Sequence, residues 1–133
     1  MSGDKILRIR DAMSSSVRTI EAMATVADAI RLMREAEVSS LVVERRDEAD
    51  EYGLLAISDV AREVIAKNRA AERVNVYEIM SKPVLSVPAD MQIKYGVRLL
   101  VRFDLSRALV VGERREPVGI VTLRDMILSY ARE

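Results

Sequence analysis

The 133-residue chain contains neither cysteine nor histidine. The first absence excludes disulfides, thiolate metal centres and cysteine nucleophiles. The second removes the commonest general base and the commonest zinc ligand. Any catalysis would have to run on carboxylates, Lys, Tyr or Ser. Tryptophan is missing as well, and one Phe with four Tyr offers little for stacking nucleobases. Net charge is absent too, with 21 basic against 21 acidic residues. The global cationic excess on which general nucleic-acid binding draws is therefore not there. No apolar run approaches the roughly 20 residues that cross a bilayer. The opening MSGDKILRIR has no signal-peptide core, so the expected location is the cytoplasm, away from membranes. Asn and Gln together number three, and Arg outnumbers Lys 17 to 4. That composition hints at a thermophilic source, although genomic base composition gives the same Arg bias.

What is present is an ordinary globular composition, 50% apolar and 32% charged, at a length that suits one compact domain. The informative feature is an internal repeat. RDAMSSSVRTI (10–20) resembles YEIMSKPVLSV (77–87), with Met13 on Met80, Val17 on Val84 and Ile20 on Val87, an offset of 67 residues. The same offset sets Val26 on Ile93, Leu32 on Leu99 and Val38 on Leu105; GLLAISD (53–59) then meets GIVTLRD (119–125) at offset 66. Two copies of a unit of about sixty residues are a duplication, since a solenoid needs at least about three repeats.

Each copy has the same grammar. VRTI is a short strand. TVADAIRLMREAE has Val26, Ile30 and Met33 at helical spacing, and Thr25 with Asp28 reads as a capping box. SSLVVE and YGLLAI flank the charged loop RRDEADE as a hairpin, and SDVAREVIAKNRA is expected as the closing helix. The second copy repeats this as VLSV, DMQIKYGVRLLVRF, RALVV, the turn GERREP, VGIVT and LRDMILSYAR. The expected fold is α/β (α+β): two β-α-β-β-α units at 8–69 and 77–130, joined by a linker at 70–76. One copy alone covers its apolar strands poorly, so the copies are expected to pack sheet to sheet about a pseudo-two-fold axis.

These residues resemble the CBS domain family, named after cystathionine β-synthase. GIVTLRD at 119–125 carries the likeness best, matching a Gly-hydrophobic-x-Ser/Thr-x-x-Asp signature. The VRTI and LSV starts and the VSSLVV and LSRALVV strand entries support it. The resemblance covers about Arg8 to Ser129 and implies tandem CBS motifs forming one Bateman module. It implies reversible binding of an adenosine-containing ligand, such as AMP, ADP, ATP, S-adenosylmethionine or NAD, in clefts between the motifs, with no covalent cofactor. It also implies a homodimer, and an effector protein that the sequence does not identify.

Carried onto this chain, the resemblance equips one cleft with Asp125 for ribose hydroxyls and Thr122 for phosphate. Ser15, Ser16, Val17, Val38 and Ser39 form its opposite wall, and Arg124 and Arg10 are cations within reach. The second cleft has Asp59, with Lys82, Pro83, Val84, Leu105, Ser106 and the basic Arg107 opposite. Ala56 stands there in place of the Ser or Thr, so this cleft lacks a hydroxyl, and Ser58 is displaced around the helix turn.

Plainer explanations stand beside these. T-x-x-D is also a capping box, and carboxylates at helix starts are stabilised by the dipole regardless of ligand. Met13, Met33 and Met80 suit core packing. Gly53 and Gly119 serve either close ligand approach or relief of steric crowding. The loop arginines Arg45, Arg46, Arg114 and Arg115 read as solvated, with a basic rim for nucleic acid as the minority reading. The functional expectation is a ligand-sensing regulatory module. Its rival is a dimerisation or interaction scaffold with vestigial clefts. An enzyme is disfavoured, because no nucleophile–base pair or Walker-type loop is present.

Overall fold

The computed structural model describes residues 6–130. It is a mixed α/β structure with two three-stranded sheets, and the chain divides into two compact units.

The continuous unit runs from Arg18 to Val84. Its strands β1 (Thr19–Ile20), β2 (Ser40–Val43) and β3 (Gly53–Ala56) lie in that order, β1 parallel to β2 and β2 antiparallel to β3. The β2 and β3 side chains are all buried, as the uninterrupted SLVV and GLLA runs require. Helix α2 (Val26–Ala36) starts at the predicted cap: the Thr25 hydroxyl accepts from the Asp28 amide at 3.1 Å, and the Asp28 carboxylate accepts from the Thr25 amide at 3.3 Å. It buries Val26, Ala29 and Met33 against Leu41, Val43 and Leu55. It stops where Glu37 takes φ 55° and the Val38 amide reaches back to the Met33 carbonyl at 3.1 Å, a Schellman-type end. The closing helix differs from its expected form. α3 (Ile57–Val60) passes into a π-helical turn, Ala61–Ile65, in which the Ala66 amide bonds the Ala61 carbonyl at 2.9 Å.

The other unit joins the stretch from Leu85 onward to the segment ending at Val17. Strands β4 (Ser86–Pro88), β5 (Arg107–Val111) and β6 (Pro117–Thr122) repeat the same order and pairing. Helix α4 (Ile93–Arg102) repeats the α2 ending at the same offset, with Asp104 at φ 55° and Leu105 N bonded to Leu100 O at 2.9 Å. α5 (Leu123–Tyr130) is α-helical throughout.

In sequence the repeats begin near residues 8 and 77, but each leading segment folds with the sheet of the other copy. The leading arm of copy one carries α1 (Ile9–Ala12), with Ile9 fully buried among Val87, Ile93, Leu100 and Met126. Ser14 then bridges Ile120 of β6 through two backbone bonds of 2.9 and 3.0 Å. The segment leading into copy two does the same in the continuous unit: Val76 is buried there, and Ser81 bridges Leu54 of β3 at 2.9 and 3.0 Å. The glycines make room for these bridges. A Cβ on Gly119 would lie 2.7 Å from both Met13 Sδ and the Ser14 carbonyl oxygen; one on Gly53 would lie 2.8 Å from Met80 Sδ. Met13 and Met80 are therefore packing residues, as expected from their equivalence.

Candidate functional site

The two strand-to-helix junctions that carry the signature are built alike. The amide of each helix's first residue donates to the carbonyl of the Ser just before the middle strand, Leu123 to Ser106 at 2.8 Å and Ile57 to Ser39 at 2.9 Å. This fixes where each helix leaves its sheet and brings the Asp back beside the strand end.

The side chains then diverge. At the β6–α5 junction the Thr122 hydroxyl accepts from the Asp125 amide at 3.0 Å. Among the described residues the half-buried Asp125 carboxylate accepts no hydrogen bond and forms no ion pair. At the β3–α3 junction Ala56 has no hydroxyl to offer, and the arrangement is reversed. The Asp59 carboxylate turns back to accept from the Ala56 amide at 2.8 Å, and its other oxygen meets the Arg62 guanidinium at 2.7 Å. Asp59 is buried, with 8% of its surface exposed. Both of its oxygens are bonded within the protein, whereas those of Asp125 meet no donor among the described residues.

Arg107 opens β5 and stands directly across from Thr122 in the β5–β6 register. Directly opposed residues on antiparallel strands share a face of the sheet. Its Nε and Nη1 are buried and have no hydrogen-bond partner among the described residues. Buried guanidinium groups without an acceptor are costly. Arg107, which the family resemblance sets opposite Asp59, lies in the unit of Thr122 and Asp125.

The other predicted residues are placed as follows. Ser15, Ser16 and Val17 belong to the leading segment of copy one but continue the arm on β6, in the unit of Thr122 and Asp125. Arg10, exposed on α1, is in that unit too, and α1 packs against α5 and β6. Arg124 is exposed on the first turn of α5. Leu105 and Ser106 sit in the turn into β5. Val38 and Ser39 sit in the equivalent turn of the continuous unit, which also holds Lys82, Pro83 and Val84. Val38 and Leu105 each follow the left-handed residue of a helix end, so packing alone accounts for their apolar character. The Lys82 ammonium lies 2.9 Å from Asp50.

Asp50 makes RRDEADE more than a solvated loop. It accepts from the Arg46 amide at 2.9 Å and from Arg46 Nε at 3.1 Å, besides pairing with Lys82. The Arg46 amide first, then Lys82 and the Arg46 guanidinium, hold its carboxyl well below the ordinary aspartate range. Arg45 stacks over Tyr52, 5.0 Å from the ring centre. Arg114 and Arg115 lie on the 112–116 hairpin turn of the other unit.

Sequence reasoning did not single out Arg62. The signal was present, because at offset 66 the residue equivalent to Arg62 is Leu128. The substitution places a cation three residues beyond one Asp and not beyond the other.

A family model for the CBS domain matches residues 9–66 and again residues 76–132. The chain belongs to the CBS domain family. As a CBS pair it is similar to several solved structures. A hexameric CBS-CP12 protein from bloom-forming cyanobacteria is 34% identical with a TM-score of 0.89, over 95% of this chain and 73% of that one. The cytosolic domain of the Mg2+ channel MgtE, in complex with ATP, is 27% identical with a TM-score of 0.68, over 89% of this chain and 46% of that one. The CBS domain pair of protein MJ0100, in complex with 5′-methylthioadenosine and S-adenosyl-L-methionine, is 22% identical with a TM-score of 0.78 and shares the fold over 96% and 98% of the two chains. This CBS pair spans 48% and 44% of the length of the first two curated relatives it matches. Among its described residues no helix is long and apolar enough to cross a membrane.

Proposed function

We propose that this CBS pair is a non-catalytic regulatory module that senses an adenosine-containing ligand, with Thr122 and Asp125 as the core of its better-equipped site. The observation that carries the reading is the chemistry gathered in one unit. An open carboxylate can accept from ribose hydroxyls. A hydroxyl and a buried guanidinium without a partner suit phosphate oxygens. Arg107 joins this group on the strength of its register with Thr122, and Arg10, Ser15, Ser16, Val17 and Arg124 share the unit. AMP, ADP, ATP, S-adenosylmethionine and NAD all present the required ribose. The ATP complex of the MgtE cytosolic domain and the S-adenosylmethionine complex of the MJ0100 pair support this class.

A thermal-shift panel tests the reading. A ligand at 100 times its dissociation constant stabilises by about 2.7 kcal/mol, and Asp125→Ala should remove that shift. No shift with any member of the panel refutes the sensing function.

A second reading is self-association, with a second copy as the partner. Ile30, Met33, Val38, Ile57, Val60 and Ile65 line an apolar hollow of about 310 Å³ beside α2 and α3, with Ile57 and Ile65 more than half exposed. The hexameric CBS-CP12 relative supports it. Sedimentation of Ile65→Glu against the parent protein tests it, and an unchanged mass would refute use of this face.

A further inference from the structure

We propose that Arg62 is a built-in occupant of the Asp59 carboxylate, so that this Asp is withheld from the ligand hydroxyls that Asp125 is free to accept. The inference rests on the ligand-sensing reading above and concerns which of the two signature carboxylates is in use.

The geometry is local and complete. Asp59 Oδ1 meets Arg62 Nη2 at 2.7 Å, and Asp59 Oδ2 accepts from the Ala56 amide at 2.8 Å. A hydroxyl donor arriving at this carboxylate has to compete with a charge-assisted bond, the stronger kind, and with the guanidinium that makes it. Arg62 is held from its other side as well. Its Nε lies 3.3 Å from Glu63, which in turn pairs with Lys67 at 2.8 Å. Lys67 and then Arg62 draw the Glu63 carboxyl below its ordinary range, so the acid that anchors Arg62 stays ionised.

The second copy is an internal control. Leu128 occupies the place of Arg62 and has nothing to donate. Thr122 occupies the place of Ala56 and takes the Asp125 amide on its hydroxyl at 3.0 Å. Two substitutions therefore act together at the Asp59 junction. Loss of the hydroxyl leaves the carboxylate turned toward the Ala56 amide, and gain of the guanidinium covers the remaining oxygen. A dipole or capping role alone would not require the second change.

The test reads the Asp59 junction in isolation. Calorimetry with AMP, ATP and S-adenosylmethionine is run on the parent protein, Asp125→Ala, Arg62→Leu, and the double variant Asp125→Ala/Arg62→Leu. Arg62→Gln serves as a second variant that keeps polarity, and thermal melting checks folding throughout. The side chain of Arg62 is 61% exposed, and exposed pairs are weak, so removing it should tighten binding about three- to fivefold in the Asp125→Ala background. A second binding event should also appear in the Arg62→Leu single variant. If the parent binds through Asp125 and the double variant is no tighter than Asp125→Ala, Arg62 does not withhold Asp59, while the sensing function stands. Two equal sites in the parent protein would also overturn the proposal. If neither the parent nor Arg62→Leu binds any of the three ligands, both readings fall together.

Discussion

Adding one methyl group to each of the two signature glycines should have unequal effects, and the inequality follows from what each methyl would strike. In Gly119→Ala the new Cβ is 2.7 Å from the Ser14 carbonyl oxygen, a backbone atom, as well as 2.7 Å from Met13 Sδ. Ser14 cannot retreat without stretching both bonds of its bridge to Ile120, now 2.9 and 3.0 Å. In Gly53→Ala the closest contact is the Met80 thioether at 2.8 Å, which can rotate away; the Val43 Cβ at 3.2 Å must give by a few tenths of an ångström, and the Ser81 oxygen at 3.4 Å is at ordinary separation. Overpacking costs about 1–3 kcal/mol, and each weakened backbone bond adds up to about 1 kcal/mol net. Replacing a strand glycine returns about 0.5–1 kcal/mol in either case. Gly119→Ala should therefore cost about 2–3 kcal/mol, and Gly53→Ala about 1 kcal/mol or less. An unfolding entropy near 2.1 cal/mol/K per residue over 133 residues makes each kcal/mol worth about 3.6 °C. Melting followed by circular dichroism should place Gly119→Ala roughly 7–11 °C below the parent and Gly53→Ala within about 4 °C of it. Equal shifts, or a Gly119→Ala midpoint within 2 °C or so of the parent, would refute the claim that the arm is held against β6 at backbone contact distance.

Ile9→Ala, at a fully buried site of the arm, should cost about 2–5 kcal/mol by urea denaturation; a value below about 1 kcal/mol would show that the arm is not part of the core. Thr25→Ala removes the hydroxyl that caps α2 and should cost about 1 kcal/mol in the same assay. Glu37→Gly relieves a left-handed residue at the end of α2 and should stabilise by up to about 1 kcal/mol, read as a raised midpoint. The Asp50 carboxyl is depressed in the folded protein. The stability it contributes is complete above its unfolded value near 3.9 and is lost as pH falls toward the lower folded value. Asp50→Asn should thus flatten the acid side of the stability profile below about pH 4 and leave its slope near neutrality unchanged.

The repeat, the order of elements in each copy, both hairpins and the cap of α2 were legible because each has a local cause: periodicity, alternation or a three-residue spacing. The exchange of leading segments was not. Ser14 against Ile120 and Ser81 against Leu54 are backbone bridges of the same kind, so the residues themselves do not say which copy's sheet receives which arm. Only the packing of Ile9 and Val76, which depends on all their neighbours at once, decides it. The difference between the two signature junctions was visible in Ala56, but only as a missing hydroxyl. That the Asp59 carboxylate would turn to the Ala56 amide and meet Arg62 required the side-chain geometry. Arg107 shows the same limit: its basic character was readable, whereas its place opposite Thr122 depends on strand register.

The exchanged arms also set a timetable for a chain that is made from one end. The unit from Arg18 to Val84 is an unbroken stretch, and Ser81, which bridges β3, lies 27 residues beyond Leu54. That unit can close while the remainder is still being synthesised. The opening arm has to wait for Ile120, 106 residues beyond Ser14, before its own sheet exists. Until then Ile9, Met13 and the unpaired edge at Ser14 have no place to go. This arm is made before the sheet it joins and completes its fold after the unit that follows it, and in that interval a ribosome-associated chaperone would find it exposed.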